Sequence, residues 1–369
     1  MLKPSARSLL AYCILAVPLP PAAQAQAPAE APASLQALGL KATGAPVREH
    51  PGWRAPRLIL VASSVADQIP SLSRDFPQVK FVELSHASAR ELAAADASLG
   101  VCSSELLGKA THLMWIQWLA AGVEGCVKEP LLHQRHIILT NMQRTMAPSM
   151  AEHVIALMLM LSRHLDHYMR EQQRAHWEPE PAVELADLEG RTALVVGLGG
   201  IGTEVARRAH ALGMRVIATR ASGREGPDYV SYVGLPDELP RLTREADFVI
   251  NCAPLTPQTT GIFNQEFFAT MKPTAYFVNV GRGKSVVTAD LVAALRTRKL
   301  AGAGLDVVDP EPLPADSELW SAPHVIITPH VSAQTSVSAG QRSALLEENL
   351  RRYAAGEALL AVVDVDRGY

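Results

Sequence analysis

The sequence has few cysteines, no excess of charge of either sign and no apolar run long enough to cross a bilayer. Its 369 residues include four cysteines: Cys13, Cys102, Cys126 and Cys252. They are scattered and none has C-x-x-C spacing, so we predict neither a disulfide framework nor a metal site, and we expect Cys102 and Cys252 to be inert buried thiols. The 34 basic and 37 acidic residues give a net charge of −3. This balance argues against nucleic-acid binding and favours a small-molecule partner.

The N-terminal 25 residues have the pattern of a secretory signal peptide. Lys3 and Arg7 precede an apolar run from Leu9 to Val17, and Ala23-Gln-Ala25 follows as a cleavage site. The apolar run is too short to span a bilayer, so we expect cleavage near Ala25 and a mature protein without a membrane anchor. We predict a periplasmic or secreted location. A cytoplasmic location is the alternative, because the scattered cysteines fit an oxidising compartment poorly.

Residues 26–54 are rich in alanine, proline and glutamine and predict a flexible linker. After it, short apolar runs alternate with segments of helical periodicity, which indicates a parallel, doubly wound sheet. From Ser149 towards Arg174 an amphipathic repeat predicts one long helix that leads into a second domain. Its methionines are core residues rather than a chemical site. A further helix, from about Ser338 to Ala354, follows near the C-terminus.

A glycine-rich turn lies between an apolar strand and a helix in the second half of the chain. The β-branched run 192–196 is followed by Gly-Leu-Gly-Gly-Ile-Gly and then by a helical repeat. In this context Gly197 allows a tight turn, Gly199 lets a pyrophosphate approach the backbone, and Gly202 lets the helix pack closely on the strand. The first turn of that helix, which includes Ile201, would face the anion. An ordinary glycine-rich turn is the alternative, but the strand, turn and helix in order predict a dinucleotide site.

The residue after the next strand bears on which dinucleotide is bound. NAD-preferring domains carry Asp or Glu there, hydrogen-bonded to the ribose hydroxyls. Here the strand 215–219 is followed by Arg220, with Ser222 close behind and Arg224 beyond it. An arginine and a hydroxyl suit the 2′-phosphate of NADP, so we predict NADP as the cofactor, with NAD possible. The alternative is a solvated surface arginine.

Together these patterns predict an α/β protein of two doubly wound parallel-sheet domains. A flavodoxin-like substrate domain would be discontinuous and comprise residues 55–150 and 331–369. A Rossmann NAD(P)-binding domain would comprise residues 151–330 and include the interdomain helix.

Three polar residues stand at the ends of apolar runs in the second half: Arg282, Glu311 and His330. Ligands gather at the carboxyl ends of strands in such a sheet. An arginine can hold a carboxylate and a carbonyl, a histidine can move a proton, and a carboxylate can orient that histidine. The set therefore suits hydride exchange between a 2-keto acid and its 2-hydroxy acid. Each residue alone could equally be an ordinary loop or surface residue.

These residues and three further segments resemble the D-isomer-specific 2-hydroxyacid dehydrogenase family. The segments are a substrate-carboxylate loop, the start of the interdomain helix and a cofactor-lining stretch: residues 115–124, 147–154 and 252–260. The distances from Arg282 to Asp306 and to Glu311, which are 24 and 29 residues, also match the family's spacing. The resemblance extends from about residue 55 to residue 355.

The resemblance implies a role for each matching residue. Arg282 would anchor the substrate, His330 would be the acid/base, and Glu311 would favour the charged imidazole. Asp306 would hold the nicotinamide carboxamide. The substrate carboxylate would be bound by the backbone N–H groups of Ala121, Gly122 and Val123. The cofactor site would be lined by Pro254 and Thr259.

Two positions depart from the family's pattern. Glu124 stands where Asp is common, and Arg220 replaces the acidic residue, which puts NAD use in doubt. Glu at position 311 also argues against the formate-oxidising branch, which carries Gln there.

The implied function is an NAD(P)-dependent oxidoreductase that interconverts a 2-keto acid and a D-2-hydroxy acid. We expect an NADP-preferring, homodimeric reductase of the kind that reduces glyoxylate or hydroxypyruvate. Two alternatives stay open. One is a dinucleotide-sensing binding protein of the same fold with little or no turnover. The other is an inactive or moonlighting envelope protein, since a periplasm is not expected to supply NADPH.

Overall fold

The computed structural model describes residues 30–178 and 185–369, and residues 31–369 form one compact unit. The predicted signal peptide, residues 1–25, lies outside the described residues. The strands are β1 (Leu58–Val61), β2 (Lys80–Glu83), β3 (Ala97–Leu99), β4 (Trp115–Gln117), β5 (Ile138–Thr140), β6 (Thr192–Val196), β7 (Arg215–Thr219), β8 (Tyr232–Gly234), β9 (Phe248–Asn251), β10 (Tyr276–Asn279), β11 (Gly302–Leu305) and β12 (Val325–Ile327). The helices are α1 (Ala33–Ala37), α2 (Ile69–Asp75), α3 (Ala89–Ala94), α4 (Ser104–Lys109), α5 (Pro130–Gln134), α6 (Ala147–Ser162), α7 (Leu165–Gln173), α8 (Gly200–Ala211), α9 (Leu239–Thr243), α10 (Gln265–Thr270), α11 (Thr288–Arg296) and α12 (Ser336–Ala355).

The first five strands form a parallel sheet in the order β2-β1-β3-β4-β5. This is the flavodoxin-like order. Every residue of β1, β3 and β4 is buried, as expected for a parallel sheet that helices cover on both faces. The predicted fold class of this domain is confirmed.

The other seven strands form a second parallel sheet in the order β12-β11-β10-β9-β6-β7-β8. It has the Rossmann arrangement with one extra strand, and the strand order reverses between β6 and β9. Val196 lies opposite Asn251 at the carboxyl ends of these two strands, so the crevice expected to bind ligands opens there. Short apolar runs in the sequence coincide with every strand of this sheet except β8. That strand has only three residues, and the first of them, Tyr232, is exposed.

The C-terminal residues join the first sheet. Asn141 donates its backbone N–H to Ala361, and Val363 donates to Leu139, so the chain after α12 lies beside β5. Leu345 and Leu350 of α12 are fully buried. The domain of the first sheet therefore contains residues from two separate parts of the sequence, and its role as the substrate domain stays a prediction. None of the helices in the described ranges is both long enough and apolar enough to cross a membrane.

The residues predicted as a linker are instead part of this domain from residue 31 onward. Leu35, Leu40 and Val47 are almost fully buried in its core. Ala42 forms an antiparallel bridge with Leu360, and the N–H of Thr43 donates to Leu359. The prediction of a linker over 26–54 was wrong for this stretch because alanine and proline are abundant around a few well-spaced apolar anchors.

The helix predicted from Ser149 towards Arg174 is two helices. α6 ends at Ser162 and α7 begins at Leu165, and between them His164 adopts a left-handed conformation with φ of 49°. The buried apolar repeat of α6 stops at Leu161, and most of α7 is polar, so packing does not require a continuous helix.

Two of the cysteines predicted to be unpaired form a disulfide, Cys102–Cys126. They are 24 residues apart, but each follows one of two adjacent parallel strands, β3 and β4, which brings them to the same sheet edge. The sequence separation concealed this proximity. Cys252 keeps a free thiol. Burial raises the pKa of this thiol to about 12, in agreement with the predicted inert cysteine.

Candidate active site

The glycine-rich turn has the shape of a pyrophosphate cradle. Gly197 has a φ of 92°, and a Cβ atom there would lie 2.8 Å from the Cα atom of Ala253. A Cβ atom on Gly202 would overlap the carbonyl oxygen of Gly197. Gly199, by contrast, precedes α8 and faces open space, with nothing within 4 Å of an added Cβ. The turn thus combines close packing beneath with free access above, which fits a dinucleotide.

Arg220 lies at the end of β7, beside this turn. Gly197 and Leu198 donate their N–H groups to the carbonyl of Thr219 at 3.1 and 2.9 Å, so the two segments touch. The Nε atom of Arg220 donates to the hydroxyl of Ser222 at 2.8 Å. The guanidinium and the hydroxyl therefore form one cluster, as expected from the sequence.

Arg224 does not join that cluster. Its guanidinium forms an ion pair of 2.6 Å with Glu238 and donates to the hydroxyl of Tyr232 at 3.0 Å. Of the two arginines, only Arg220 stands next to the dinucleotide turn.

The predicted cofactor-lining stretch forms a compact loop after β9. The hydroxyl of Thr259 donates to the carbonyl of Pro254 and accepts from the N–H of Thr256, both at 2.7 Å. The loop starts at Ala253, which lies against Gly197. Ile201 is half-buried in the first turn of α8. The cofactor residues described so far thus follow the carboxyl ends of the neighbouring strands β6, β7 and β9, and their contacts with a dinucleotide stay predictions.

Arg282 reaches from the Rossmann domain to the predicted substrate loop. Its Nε atom donates to Glu124 at 2.9 Å, and its guanidinium lies so close to Gly122 that an added Cβ there would overlap it. The carbonyl of Arg282 accepts hydrogen bonds from Asn279 and Ser285 at 3.1 and 2.6 Å. These two positioning residues were not proposed from the sequence.

The substrate loop is held by its carbonyl groups. Asn141 donates its amide to the carbonyl of Ala121 at 2.7 Å, and the indole of Trp118 donates to that of Gly122 at 2.8 Å. Within the described part of the chain, the N–H groups of Ala121, Gly122 and Val123 donate no hydrogen bond. The loop therefore presents backbone donors next to Arg282, as a carboxylate-binding loop requires.

His330 and Glu311 form the predicted pair. The Nδ1 atom of His330 lies 2.8 Å from a carboxylate oxygen of Glu311, whose other oxygen accepts the N–H of Val308 at 3.1 Å. Because a carboxylate only accepts hydrogen bonds, the Nδ1 atom carries the proton and the Nε2 atom is left for a substrate. The imidazole is about half exposed, so a small molecule can reach it.

The segments that carry Arg282 and Glu311 are in contact. A Cβ atom on Gly283, the next residue after Arg282, would overlap the carbonyl group of Val308. The two predicted catalytic segments therefore meet at the carboxyl ends of β10 and β11, which are paired neighbours in the sheet.

Asp306 lies beneath the loop that carries His330. It is 1% exposed, and its carboxylate accepts hydrogen bonds from Thr328, Val331 and Ser332 at 2.7, 3.0 and 3.1 Å. Burial raises the pKa of Asp306, but these hydrogen bonds outweigh burial and lower the pKa overall. The structure thus shows Asp306 holding the His330 loop. Its predicted contact with a carboxamide stays a prediction.

Comparison with known proteins shows which family the chain belongs to. A model described as "D-isomer specific 2-hydroxyacid dehydrogenase, NAD binding domain" matches residues 155–332. Over 270 residues the chain is 32% identical to glyoxylate/hydroxypyruvate reductase A of Yersinia enterocolitica, a match that covers 72% of this chain and 84% of that protein. The chain belongs to the D-isomer-specific 2-hydroxyacid dehydrogenase family. The family predicted from the sequence is confirmed.

Solved structures of this dehydrogenase family share the fold. A probable 2-hydroxyacid dehydrogenase from Rhizobium etli, solved with NADP, HEPES and L(+)-tartaric acid, has a TM-score of 0.75 at 27% identity and covers 86% of this chain and all of that one. An NADPH-dependent glyoxylate/hydroxypyruvate reductase from Sinorhizobium meliloti, solved with NADP and sulfate, has a TM-score of 0.73 at 27% identity and covers 85% of this chain and all of that one.

This 2-hydroxyacid dehydrogenase is an NAD(P)-dependent oxidoreductase that interconverts 2-keto and 2-hydroxy acids. The fold, the cofactor class and the reaction class predicted from the sequence are confirmed. No observation favours the alternative of a dinucleotide-sensing protein without turnover.

Proposed function

We propose that the protein is an NADPH-preferring reductase of small 2-keto acids such as glyoxylate and hydroxypyruvate. The observation that carries the cofactor preference is the cluster of Arg220 and Ser222 beside the dinucleotide turn, where a carboxylate would repel a 2′-phosphate. The names of the Yersinia enterocolitica and Sinorhizobium meliloti relatives support the substrate class.

The proposed mechanism assigns one task to each residue. Bound NADPH supplies the hydride. Arg282 and the N–H groups of the substrate loop hold the carboxylate and carbonyl of the 2-keto acid. The Nε2 atom of His330 donates a proton to the carbonyl oxygen, and Glu311 stabilises the imidazolium before that transfer and orients the ring. In the oxidative direction His330 takes the proton back.

The test of this mechanism is a pair of substitutions assayed with NADPH. His330→Gln is expected to lower kcat by about 10²- to 10⁴-fold, the usual contribution of a general acid. Arg282→Lys keeps the charge but loses the two-pronged guanidinium, so we expect a higher KM for the 2-keto acid and a lower kcat. His210→Gln, on the exposed side of α8, is the control. Activity that survives both active-site changes refutes the assignment.

The cofactor preference is tested separately at Arg220. Arg220→Asp removes a hydrogen-bonding cation and adds a repelling charge. A hydrogen bond to a charged group contributes about 1.5–3 kcal/mol, so kcat/KM for NADPH should fall by about 10- to 150-fold while that for NADH does not. Arg224→Gln is the matched control, because Arg224 already pairs with Glu238. An unchanged ratio of the two cofactors would mean that Arg220 is only a surface residue.

We also propose that the mature protein is located outside the cytosol. A periplasm is not expected to supply NADPH, so in that location the alternative of an inactive or moonlighting envelope protein stays open. The leader-like residues 1–25 and the disulfide between Cys102 and Cys126 support this location, because disulfides persist in oxidising compartments. Cell fractionation tests it. Protein with its leader intact in the cytosol would reject the proposal and favour the cytoplasmic alternative.

A homodimer is proposed as the assembled form. Leu165 and Met169 of α7 are 43% and 53% exposed, and Trp177 is 88% exposed, so this stretch carries apolar surface that a second copy could cover. Light scattering on the purified protein gives the mass, and Trp177→Ser together with Met169→Ser should weaken the dimer. A monomeric wild-type protein would refute the proposal.

A further inference from the structure

Three side chains that play no part in the reaction converge at the edge of the seven-stranded sheet opposite the active site. His164 comes from the break between α6 and α7, Asp166 from the first turn of α7, and His324 directly precedes β12. One nitrogen or oxygen atom from each lies within 4.8 Å of the other two. β12 runs from this cluster towards His330, so the length of the strand separates the cluster from the catalytic pair.

His324 presents a free nitrogen to this cluster. Its Nδ1 atom lies 2.9 Å from the carbonyl of Ala301, and since a carbonyl only accepts, Nδ1 carries the proton. In the neutral imidazole the lone pair of Nε2 then faces Asp166 Oδ1 at 3.4 Å, whereas in the imidazolium the same two atoms form an ion pair. Both of these atoms are buried without a hydrogen-bond partner. A carbonyl on the far nitrogen of a histidine is the arrangement that orients metal-binding imidazoles.

Asp166 is held in the same manner. Its side chain is only 9% exposed, and its other oxygen, Oδ2, accepts a hydrogen bond from Arg170 at 3.0 Å. Arg170 therefore fixes the carboxylate and leaves Oδ1 directed into the cluster. His164 has a left-handed backbone, and its imidazole stacks nearly parallel on that of His324 with ring centres 4.1 Å apart. Because a metal ion lies in the plane of each imidazole that binds it, the His164 ring must turn about its side-chain torsions for both histidines to share one ion.

We propose that His164, Asp166 and His324 bind a divalent transition-metal ion, with zinc as the best match. Zinc takes imidazole nitrogen and carboxylate oxygen at about 2.0–2.2 Å, so two ligands of a tetrahedral site lie about 3.3 Å apart. The observed 3.4 Å between His324 and Asp166 corresponds to one such edge. Two imidazoles and one carboxylate also suit nickel, cobalt and copper, whose relative affinities follow the Irving–Williams order.

The fourth position of this site faces a cavity of about 600 Å³. The cavity is also lined by Arg170, Arg296 and Arg298, so its charge favours water-derived hydroxide or another small anion as the remaining ligand. Arg296 is already paired with Glu318 at 2.7 Å. His167 is paired with Glu178 at 2.7 Å, which leaves three protein ligands rather than four.

A bound ion would join the helix break to the start of β12. That strand is at the edge of the sheet and has only three residues, none of them fully buried. The metal would therefore stabilise the part of the Rossmann domain that ends in the His330 loop, and would take no part in hydride or proton transfer.

The experiment is a metal titration of the untagged protein after chelator treatment. Calorimetry with Zn²⁺ measures the stoichiometry and Kd, and absorption with Co²⁺ reports tetrahedral coordination directly. We expect one equivalent of Zn²⁺ per chain and a higher melting temperature on binding. Asp166→Asn and His164→Gln should weaken binding by more than about 100-fold, the upper effect of removing an outer-shell partner. His210→Gln should bind as the wild type does.

The outcomes separate a metal site from a simple ion pair. If wild-type protein binds no equivalent of Zn²⁺, or if the two variants bind it as tightly, Asp166 and His324 only form an ion pair and the proposal is wrong. Stabilisation by inorganic phosphate in the presence of chelator, without an effect of Zn²⁺, would make the cavity an anion site and also overturns it. Melting curves with chelator show whether each variant is folded, and Asp166→Asn is the mildest because it keeps the shape of the side chain.

Discussion

Replacing Asp306 by asparagine should impair proton transfer rather than cofactor binding. The backbone of His330 has a φ of 55°, a conformation that residues with a side chain rarely adopt. Three contacts hold it: the N–H of His330 donates to the carbonyl of Asp306 at 2.8 Å, and the N–H groups of Val331 and Ser332 donate to the carboxylate at 3.0 and 3.1 Å. A carboxylate is needed here because both of its oxygens accept hydrogen bonds from these groups.

The size of the effect follows from these contacts. An asparagine amide turns one accepting oxygen into a donor that faces another donor, in a place without access to water. The lost hydrogen bond to a charged group is worth about 1.5–3 kcal/mol. If about 2–3 kcal/mol is lost from the positioning of His330, kcat falls by about 30- to 150-fold.

The assay is steady-state reduction of glyoxylate with NADPH varied at saturating substrate. We expect a lower kcat with a nearly unchanged KM for NADPH. Asp247→Asn is the matched control. Asp247 lies at the amino ends of the strands of the same sheet, away from the active site, where its carboxylate accepts a hydrogen bond from the N–H of Thr192 at 2.8 Å and pairs with Lys272. A raised KM for NADPH with normal kcat in Asp306→Asn would refute our reasoning and support carboxamide binding by Asp306.

Acid unfolding gives an independent measure of the same contacts. The pKa of Asp306 is lowered in the folded protein. Its stabilising contribution is therefore present above the unfolded pKa of about 3.9 and is lost as the pH falls through the lower folded value. Asp306→Asn should remove this contribution, so its difference in stability from the wild type should shrink below pH 4. A difference that does not depend on pH would contradict the lowered pKa.

Three further predictions concern the substrate loop and the cysteines. Gly122→Ala should raise the KM for the 2-keto acid, because its Cβ would displace the guanidinium of Arg282; an unchanged KM would mean that the loop does not approach the substrate. Reducing the disulfide between Cys102 and Cys126 should raise the KM for the 2-keto acid more than it lowers kcat, since Cys126 closely follows the substrate loop. The variant with serine at both positions should behave in the same way. A wild-type KM in the reduced protein and in this variant would refute the prediction. Cys252 should resist alkylation at pH 8 in the native protein because of its raised pKa, and mass spectrometry showing rapid labelling would contradict that raised pKa.

Most of the fold could be predicted because parallel strands in a covered sheet read as continuous apolar runs. The features that escaped prediction have weak local signals. β8 has three residues and an exposed tyrosine, and the stretch with Leu35 and Leu40 is buried through contacts with residues more than 300 positions later. The break between α6 and α7 at His164 occurs where the buried apolar face of α6 ends, and no proline or glycine marks it in the sequence.

The catalytic residues were accessible to prediction because they follow strands of one parallel sheet, whose carboxyl ends share an edge. The disulfide and the cluster of His164, Asp166 and His324 were not, because each depends on which strands or loops are neighbours in space. The hydrogen bonds between Asp306 and the His330 loop could not be predicted for another reason. An aspartate that follows a strand has the same sequence pattern whether its carboxylate faces a ligand or its own loop.

The pairing of Ala42 with Leu360 has a consequence for how the protein is made. The domain of the five-stranded sheet cannot complete its core until the ribosome has released α12 and the residues after it, because residues 35–47 pack on these C-terminal residues. The Rossmann domain, which lies between them, can fold earlier. The domain that begins first is thus finished last, and during synthesis its apolar strands stay available to chaperones and to any translocation machinery that handles unfolded chains.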